Sequence, residues 1–212
     1  ASNGTRNPNL IIEGRTVAQL RAERAKYVAA GNTAVFDRKL VTFVLRTNSD
    51  AVTYTFDRDG VTYTRRISPP PRPSTAPTRP TFPVSELAKM LPDNIGYINM
   101  GDINLNQVDS AMAIVKGSSG IVMDVRNYPR GTMYRFAQLL NPTGRPFVKF
   151  TYMDTTYPGQ VKWSSGGPAG MPPGNPGYYR GRVAILVDER TQSQAEFTVM
   201  ALRTSPENRV IG

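Results

Sequence analysis

The chain has 212 residues, 39% of them apolar, with 18 prolines and 18 glycines, which favours one large or two small domains with long loops or linkers. The absence of cysteine and histidine excludes disulfides, thiolate chemistry, imidazole bases and the usual zinc sites. The formal charge of +10 is spread without a dense cluster or an aromatic stripe, so we expect a basic surface and no nucleic-acid partner. The sequence shows neither a long apolar run typical of a transmembrane segment nor a signal peptide at its polar start.

Residues 1–67 have the pattern of a small α+β unit. The stretch LIIEG predicts a short strand and a turn, and a helical pattern follows over residues 16–31. A second helical pattern covers residues 33–46. Two alternating stretches, AVTYTF and VTYTRR, flank DRDG and predict a β-hairpin.

Residues 68–83 mark the clearest boundary in the chain. They contain 7 prolines in 16 positions. Proline fixes φ and removes a backbone donor, so this segment is predicted to be an extended, semi-rigid linker. A ligand for an aromatic groove that binds proline-rich peptides is the alternative interpretation.

Residues 84–212 alternate between strand and helix patterns, which predicts an α/β fold with a mostly parallel sheet. The predicted strands are NIGYINM, SGIVMDV, GRVAILVD and RVIG, and the predicted helices are NQVDSAMAIVKG, TMYRFAQLL and SQAEFTVMALRT. Met112 and Met200 are expected in the core. A long insertion rich in glycine and proline lies between Leu140 and Tyr178 and contains strand-like stretches, FVKFTYM and QVKW. Insertions of this length are usually lids or binding loops.

Two strand ends carry candidate chemistry, because open α/β sheets bind ligands beyond the carboxyl ends of their strands. The second of them, DERTQS, ends at Ser193, where a helix begins. A serine there can attack a carbonyl while the Gln194 N–H receives the developing oxyanion. On spacing alone, a helix N-cap is the simpler interpretation of Ser193. Asp188 and Glu189 are expected in a solvated turn.

The first strand end, DVRNYPRG, begins at Asp124 and is a tight turn that leads into a helix. Gly131 can present a backbone N–H to a bound group because it has no side chain in the way. A second amide opposite Ser193 would complete an oxyanion hole. An ordinary strand-to-helix loop remains the alternative.

These two stretches resemble the tail-specific, or C-terminal-processing, serine proteases. DVRNYPRG is similar to that family's Asp-Leu-Arg-x-Asn-x-Gly-Gly motif, and RTQSQAE is similar to its Thr-x-Ser-x-Ser/Ala-Glu motif. Residues 10–67 resemble the later part of the PDZ domain that usually precedes the family's core. The NYPRG form is closer to the branch that resembles the core of tricorn protease.

The resemblance implies a crotonase-like α/β core, here residues 84–212, that hydrolyses peptide bonds of protein or peptide substrates without a cofactor or metal. It implies Ser193 as nucleophile, with backbone amides at Gly131 and Gln194 as the oxyanion hole. Glu196 matches a family position and is a supporting residue. Arg130 replaces a usual glycine, and its side chain is expected to narrow the site. Asp124 and Arg126 would hold the turn.

The resemblance does not supply a proton acceptor for Ser193. One branch of the family uses a lysine roughly 25 residues after the serine, and the other uses a histidine before the PDZ domain together with a late glutamate. Lys116, Lys149 and Lys162 do not fit by motif, and the chain ends at Gly212. We therefore expect a fragment with little activity of its own, in which both the PDZ-like unit and the core are incomplete.

A non-catalytic peptide-binding module, a PDZ-like unit on an inactive protease-like platform, is the alternative function. PDZ domains add an extended C-terminus as a strand. Trp163 and the tyrosines of the insertion could line a peptide cleft or pack a surface hairpin. Bacterial relatives are commonly exported to the periplasm or cell envelope, although the sequence shows no such signal. The sequence leaves open the substrate and the formation of a homo-oligomer.

Overall fold

The computed structural model describes residues 10–70, 78–164, 169–170 and 174–212. The chain divides into two compact units, Ala1–Thr78 and Arg79–Gly212. The boundary falls within the proline-rich segment 68–83, of which residues 71–77 lie outside the described part. Parts of the 140–178 insertion, residues 165–168 and 171–173, also lie outside it.

The first unit is a four-stranded sheet with two helices. Its elements in chain order are β1 (Ile11–Ile12), β2 (Arg15–Thr16), α1 (Val17–Arg24), a 3₁₀ turn (Ala25–Tyr27), α2 (Thr33–Val44), β3 (Val52–Arg58) and β4 (Val61–Ile67). The strand order is β2-β1-β3-β4, and each neighbouring pair is antiparallel.

Local sequence signals explain the elements of the first unit. Thr16 and Gln19 form a capping box that starts α1, and the Asn32 side chain caps α2. The predicted hairpin is confirmed, with Asp59 and Gly60 at positive φ in its turn. The first helix is shorter than predicted: it ends at Arg24 and tightens into the 3₁₀ turn.

The second unit is built on a five-stranded sheet with helices α3 to α6. Its main elements are α3 (Val84–Leu87), β5 (Ala88–Leu91), β6 (Ile95–Asn99), α4 (Val108–Val115), β7 (Gly120–Asp124), α5 (Met133–Leu139), β12 (Arg182–Leu186), α6 (Gln194–Leu202) and β13 (Asn208–Ile211). The strand order is β13-β12-β7-β6-β5. All pairs are parallel except the edge pair β5–β6, so the sheet is mostly parallel, as the sequence predicted. Strictly it is a mixed sheet within an α/β fold.

The largest hydrophobic core of the described residues lies in the second unit. Alternate residues of the central strands, including Ile98, Met123 and Ile185, are fully buried in it. Met112 of α4 is only 6% exposed, so its prediction as a core residue is confirmed. Met200 is 40% exposed, so its prediction as a core residue was wrong. Helix α6 buries Ala195, Thr198 and Leu202, a stripe at spacing three and four that does not include position 200.

The insertion after α5 contributes short strands outside the main sheet. They are β8 (Pro146–Val148), β9 (Thr151–Met153), β10 (Val161–Trp163) and β11 (Ala169–Gly170). Strand β9 pairs with β10 in a hairpin, and β8 pairs with β11. The predicted single stretch FVKFTYM is therefore divided between two strands.

The sequence pattern did not reveal α3 or β5, because VSELAKML has neither clear alternation nor a long helical period. In the described parts of the chain, no helix has the length and apolar character needed to cross a membrane.

Candidate active site

The two motif-bearing turns follow adjacent parallel strands. Asp124 at the end of β7 lies opposite Leu186 at the end of β12. The Val125 N–H donates to the Leu186 carbonyl at 3.0 Å, and the Thr191 hydroxyl donates to the Val125 carbonyl at 3.1 Å. Both turns therefore lie at the carboxyl ends of the parallel strands and are hydrogen-bonded to each other.

Asp124 and Arg126 fasten the first turn. The Arg126 guanidinium donates to both carboxylate oxygens of Asp124, at 2.9 and 2.7 Å. These hydrogen bonds hold the pKa of Asp124 below its ordinary value, against the opposing effect of burial. The Tyr97 hydroxyl also donates to Asp124 at 2.9 Å, and burial together with this bond raises the pKa of Tyr97 to about 12.

The Arg130 side chain contacts residues from two other parts of the second unit. Its guanidinium donates to the Pro80 carbonyl and lies 3.8 Å from the Asp102 carboxylate. The side chain is only 18% exposed. Arg79 donates to the carbonyl of Tyr128 in the same turn. The Arg130 side chain thus packs within the protein, and the two arginines fasten residues 79–80 to the turn.

Gly131 closes the first turn at φ 78°, a conformation that glycine adopts without steric strain. A Cβ atom at this position would lie 3.3 Å from Nε2 of Gln194. Gly131 therefore lies beside the first residue of α6. Helix α5 begins two residues later, at Met133.

The second turn is ordered by its own side chains. Arg190 donates to the Asp188 carboxylate at 2.9 and 2.8 Å, and the Asp188 N–H donates to the Thr191 hydroxyl at 3.0 Å. Burial opposes ionisation of Asp188, but the hydrogen bonds from Arg190 lower its pKa. Glu189 is exposed as expected, whereas Asp188 is only partly exposed. The turn is therefore an organised loop.

Ser193 has φ 57° and ψ −119°, a conformation strained for a residue with a side chain. The residue is exposed. Its backbone N–H donates to the Glu196 carboxylate at 2.7 Å, and its carbonyl accepts from the Phe197 N–H at 3.0 Å. Ser193 is the N-cap residue of α6 and forms a capping box with Glu196, so the N-cap interpretation is confirmed. Its dihedrals nevertheless lie outside the extended β region that is usual for an N-cap. Ser193 starts the helix from a sharp, strained turn, like the serine at a nucleophile elbow.

A cluster of amide side chains supports the first turn and was missed in the sequence. The Asn127 side chain donates to Asn99 at 2.7 Å, and the Gly101 N–H donates to the same Asn99 oxygen at 3.0 Å. A Cβ atom on Gly101 would overlap Asn127. Asn127 lies inside the quoted motif, but the motif did not reveal its partners because they come from a different strand end.

The arrangement brings together an exposed hydroxyl, a strained turn and the amide-bearing starts of two helices. Because the chain has no cysteine or histidine, only acidic side chains could supply a cluster of metal ligands. The described residues contain no group of three or more acidic side chains that could hold a metal ion. Two candidate lysines are engaged in the insertion. Lys162 pairs with Asp154 at 2.6 Å, and Lys149 lies 4.2 Å from the centre of the Trp163 ring.

A sequence profile described as Peptidase family S41 matches residues 94–212, more than half of the chain. No curated protein matches the chain in sequence. Mature CPAF complexed with lactacystin is similar in structure at 11% identity and a TM-score of 0.61, over 94% of this chain and 62% of that chain. Mature CPAF is similar at 12% identity and a TM-score of 0.57, over 94% and 61%.

The photosystem II D1 C-terminal processing protease is similar at 18% identity and a TM-score of 0.40, over 94% of this chain and 49% of that chain. The chain thus spans between 49% and 62% of the length of these three structures. At their low identity, the two CPAF structures show a common fold.

Proposed function

Because the chain belongs to peptidase family S41, which confirms its resemblance to the tail-specific proteases, we propose that it forms part of a serine-type peptidase with Ser193 as nucleophile. The strained backbone of Ser193, exposed at the start of α6, is the observation that carries this proposal. Such strain persists only where the surrounding structure holds it, and it is concentrated at functional sites. A helix N-cap needs no such strain.

The proposed oxyanion hole consists of the backbone amides at Gly131 and Gln194. The first amides of a helix have no partner within the helix, so they are free to bind negative charge. The closeness of Gly131 to the Gln194 side chain supports this pairing. The oxyanion of a tetrahedral intermediate would accept from both.

Two further residues support this site. Glu196 holds the backbone N–H of Ser193 and so stabilises the strained turn. Arg130, together with Arg79, holds the turn that ends in Gly131. Both contacts hold the backbone of a turn in place, so we assign both residues to positioning.

We propose that the proton acceptor for Ser193 lies outside these 212 residues. The chain contains no histidine, and Lys116, Lys149 and Lys162 do not fit the family's motif. Lys149 and Lys162 are also engaged with Trp163 and Asp154. A serine hydroxyl without a base is a weak nucleophile. We therefore expect residues 1–212 alone to hydrolyse peptides slowly or not at all, and robust hydrolysis by this chain would contradict the assignment.

We also propose that residues 84–212 form a crotonase-like core and that residues 1–67 form part of a PDZ-like domain. Residues 68–83 would be the linker, of which the last part, from Arg79 on, is bound to the core. The mostly parallel sheet covered by helices supports the first assignment. Two helices beside an antiparallel sheet that ends in a hairpin support the PDZ-like assignment.

A non-catalytic peptide-binding module is the second candidate, and a cavity in the first unit favours it. The cavity has a volume of about 460 Å³. Its lining includes Ile12 and Leu20 together with Arg15, Arg24 and Arg46. Guanidinium groups beside apolar side chains could bind the carboxylate and an apolar side chain of a peptide.

A fluorophosphonate probe distinguishes the two functions in the full-length protein. The peptidase assignment predicts one labelled residue, Ser193, and complete loss of label in Ser193→Ala. Ser119→Ala is the matched control, because Ser119 is also an exposed serine but lies just before β7, at the opposite end of that strand from Asp124. Label that persists in Ser193→Ala would exclude Ser193 as the nucleophile. A protein that binds peptides but never reacts with the probe would favour the binding module.

A further inference from the structure

Four aromatic rings form a contiguous surface beside the candidate nucleophile. Phe197 of α6 is central: its ring centre lies 5.0 Å from that of Phe147, 6.1 Å from that of Phe150 and 6.2 Å from that of Tyr134. Tyr134 and Phe147 are 6.0 Å apart. These separations are those of favourable aromatic pairs. We name this set of four side chains the aromatic shelf.

The shelf is placed by the same two helices that begin at the candidate site. Phe197 is bonded through its N–H to the Ser193 carbonyl at 3.0 Å, one turn into α6. Tyr134 lies three residues after Gly131, in the first turn of α5. Helical side chains lean toward the N-terminus of their helix. The rings of Phe197 and Tyr134 therefore lean toward the ends that carry Ser193 and Gly131.

The shelf is open to solvent rather than sealed in the core. Tyr134 is 39% exposed and Phe150 is 50% exposed. Beneath the rings, Ala137 and Ala201 are fully buried and form a floor of small side chains. Phe147 and Phe197 are partly buried against this floor and anchor the insertion. Tyr134 and Phe150 extend the same set of rings to the surface, and exposed contiguous apolar surface is a candidate binding site.

We propose that the aromatic shelf binds a large apolar side chain, aromatic or leucine-like, of the peptide whose scissile bond lies at Ser193. This inference rests on the proposed function and specifies its substrate class. The four side chains offer one polar atom, the Tyr134 hydroxyl. A substrate aspartate or serine buried there would lose its hydrogen bonds to water and gain few in their place. An apolar substrate side chain loses no hydrogen bonds to water and gains apolar contact with the rings.

The test measures binding, so that it does not depend on catalysis. Capped hexapeptides of alanine and serine, each with a single phenylalanine, leucine or aspartate at its centre, are titrated calorimetrically into the Ser193→Ala chain. We expect the phenylalanine and leucine peptides to bind about tenfold tighter than the aspartate peptide, the ratio given by partial burial of one apolar side chain. Equal affinities, or no measurable binding of any peptide, would overturn the shelf.

Shelf variants locate the preference. In the same background, Tyr134→Ala and Phe150→Ala should each reduce the preference for the phenylalanine peptide several-fold. Tyr27→Ala is the matched control, because Tyr27 is an exposed tyrosine of the first unit, 61% exposed, and should leave the preference unchanged. Thermal unfolding shows that each variant is folded. A preference that survives both shelf variants would refute the assignment.

The outcome separates the shelf from the nucleophile. If the probe labels Ser193 in the full-length protein but the peptides show no apolar preference, the peptidase assignment is supported and the binding role of the aromatic shelf is refuted. An apolar preference that is lost in the shelf variants, in a protein whose Ser193 never reacts with the probe, would establish the shelf as a peptide-binding surface and refute the peptidase.

Discussion

The carboxylate of Glu196 accepts the backbone N–H of Ser193 at 2.7 Å, across a turn in which Ser193 has φ 57° and ψ −119°. The acidic residue in the first helical turn thus secures the residue with the most unfavourable backbone in the site. A negative charge near the start of a helix is also favoured by the helix dipole. Glu196 therefore stabilises both the turn and the helix that follows.

Removal of this contact should destabilise the second unit. We expect Glu196→Ala to lower the free energy of unfolding by about 1 kcal/mol, as for the loss of a helix cap, and Glu196→Gln to lower it less because an amide oxygen still accepts. Urea unfolding followed by circular dichroism measures the change. Glu189→Ala, an exposed acid of the preceding turn, is the control and should change little. Equal effects of the two alanine variants would contradict the role of Glu196.

The strain at Ser193 predicts that glycine at this position stabilises the fold more than alanine does. Glycine adopts this region of φ and ψ freely, so Ser193→Gly should be more stable than Ser193→Ala by about 1 kcal/mol, after allowance for the flexibility of glycine in the unfolded chain. Both variants should lose reaction with the fluorophosphonate probe. If Ser193→Gly were less stable than Ser193→Ala, the strained turn would be refuted.

Gly131 should tolerate no side chain. At φ 78°, alanine is strained and its Cβ would press on the Gln194 amide. We expect Gly131→Ala to lower the free energy of unfolding by about 1 to 2 kcal/mol. Gly117→Ala is the matched control, because a Cβ atom there would meet no heavy atom within 4 Å. A neutral Gly131→Ala variant would contradict the turn geometry.

Asp124 should make stability depend on acid pH. Its pKa lies below the ordinary value of 3.8 in the folded protein because Arg126 binds its carboxylate. The stability that it contributes is therefore present above about pH 4 and is lost as the pH falls through the folded pKa. We expect Asp124→Asn to lower the free energy of unfolding by about 2 kcal/mol at neutral pH, and by less in acid.

The measurement is urea unfolding of wild type and Asp124→Asn over a range of pH. Asp109→Asn is the control, because Asp109 forms its ion pair with Arg135 at the surface, where it is 66% exposed. Such pairs contribute little to stability. A constant difference between wild type and Asp124→Asn at all pH values would show that the Asp124–Arg126 pair does not titrate as expected.

The sequence by itself predicted most of the helices and strands and identified candidate residues at two strand ends. Its alternation of apolar patterns predicted the parallel strands, because a buried strand and an amphipathic helix have different periods. Its motifs identified DVRNYPRG and RTQSQAE, the turns that carry Gly131 and Ser193. Local signals, such as the DRDG turn and the helix caps, act over a few residues and can be read without a fold.

Only the tertiary structure decided which distant residues meet. The side chain of Arg130 packs on Pro80 and Asp102, contacts that join separate parts of the chain. The aromatic shelf unites Phe147, Phe150, Tyr134 and Phe197 from an insertion and two helices. Strand β5 pairs antiparallel at the sheet edge although its sequence shows no strand pattern. Pairing and packing depend on partners far away in sequence, and a local pattern does not contain them.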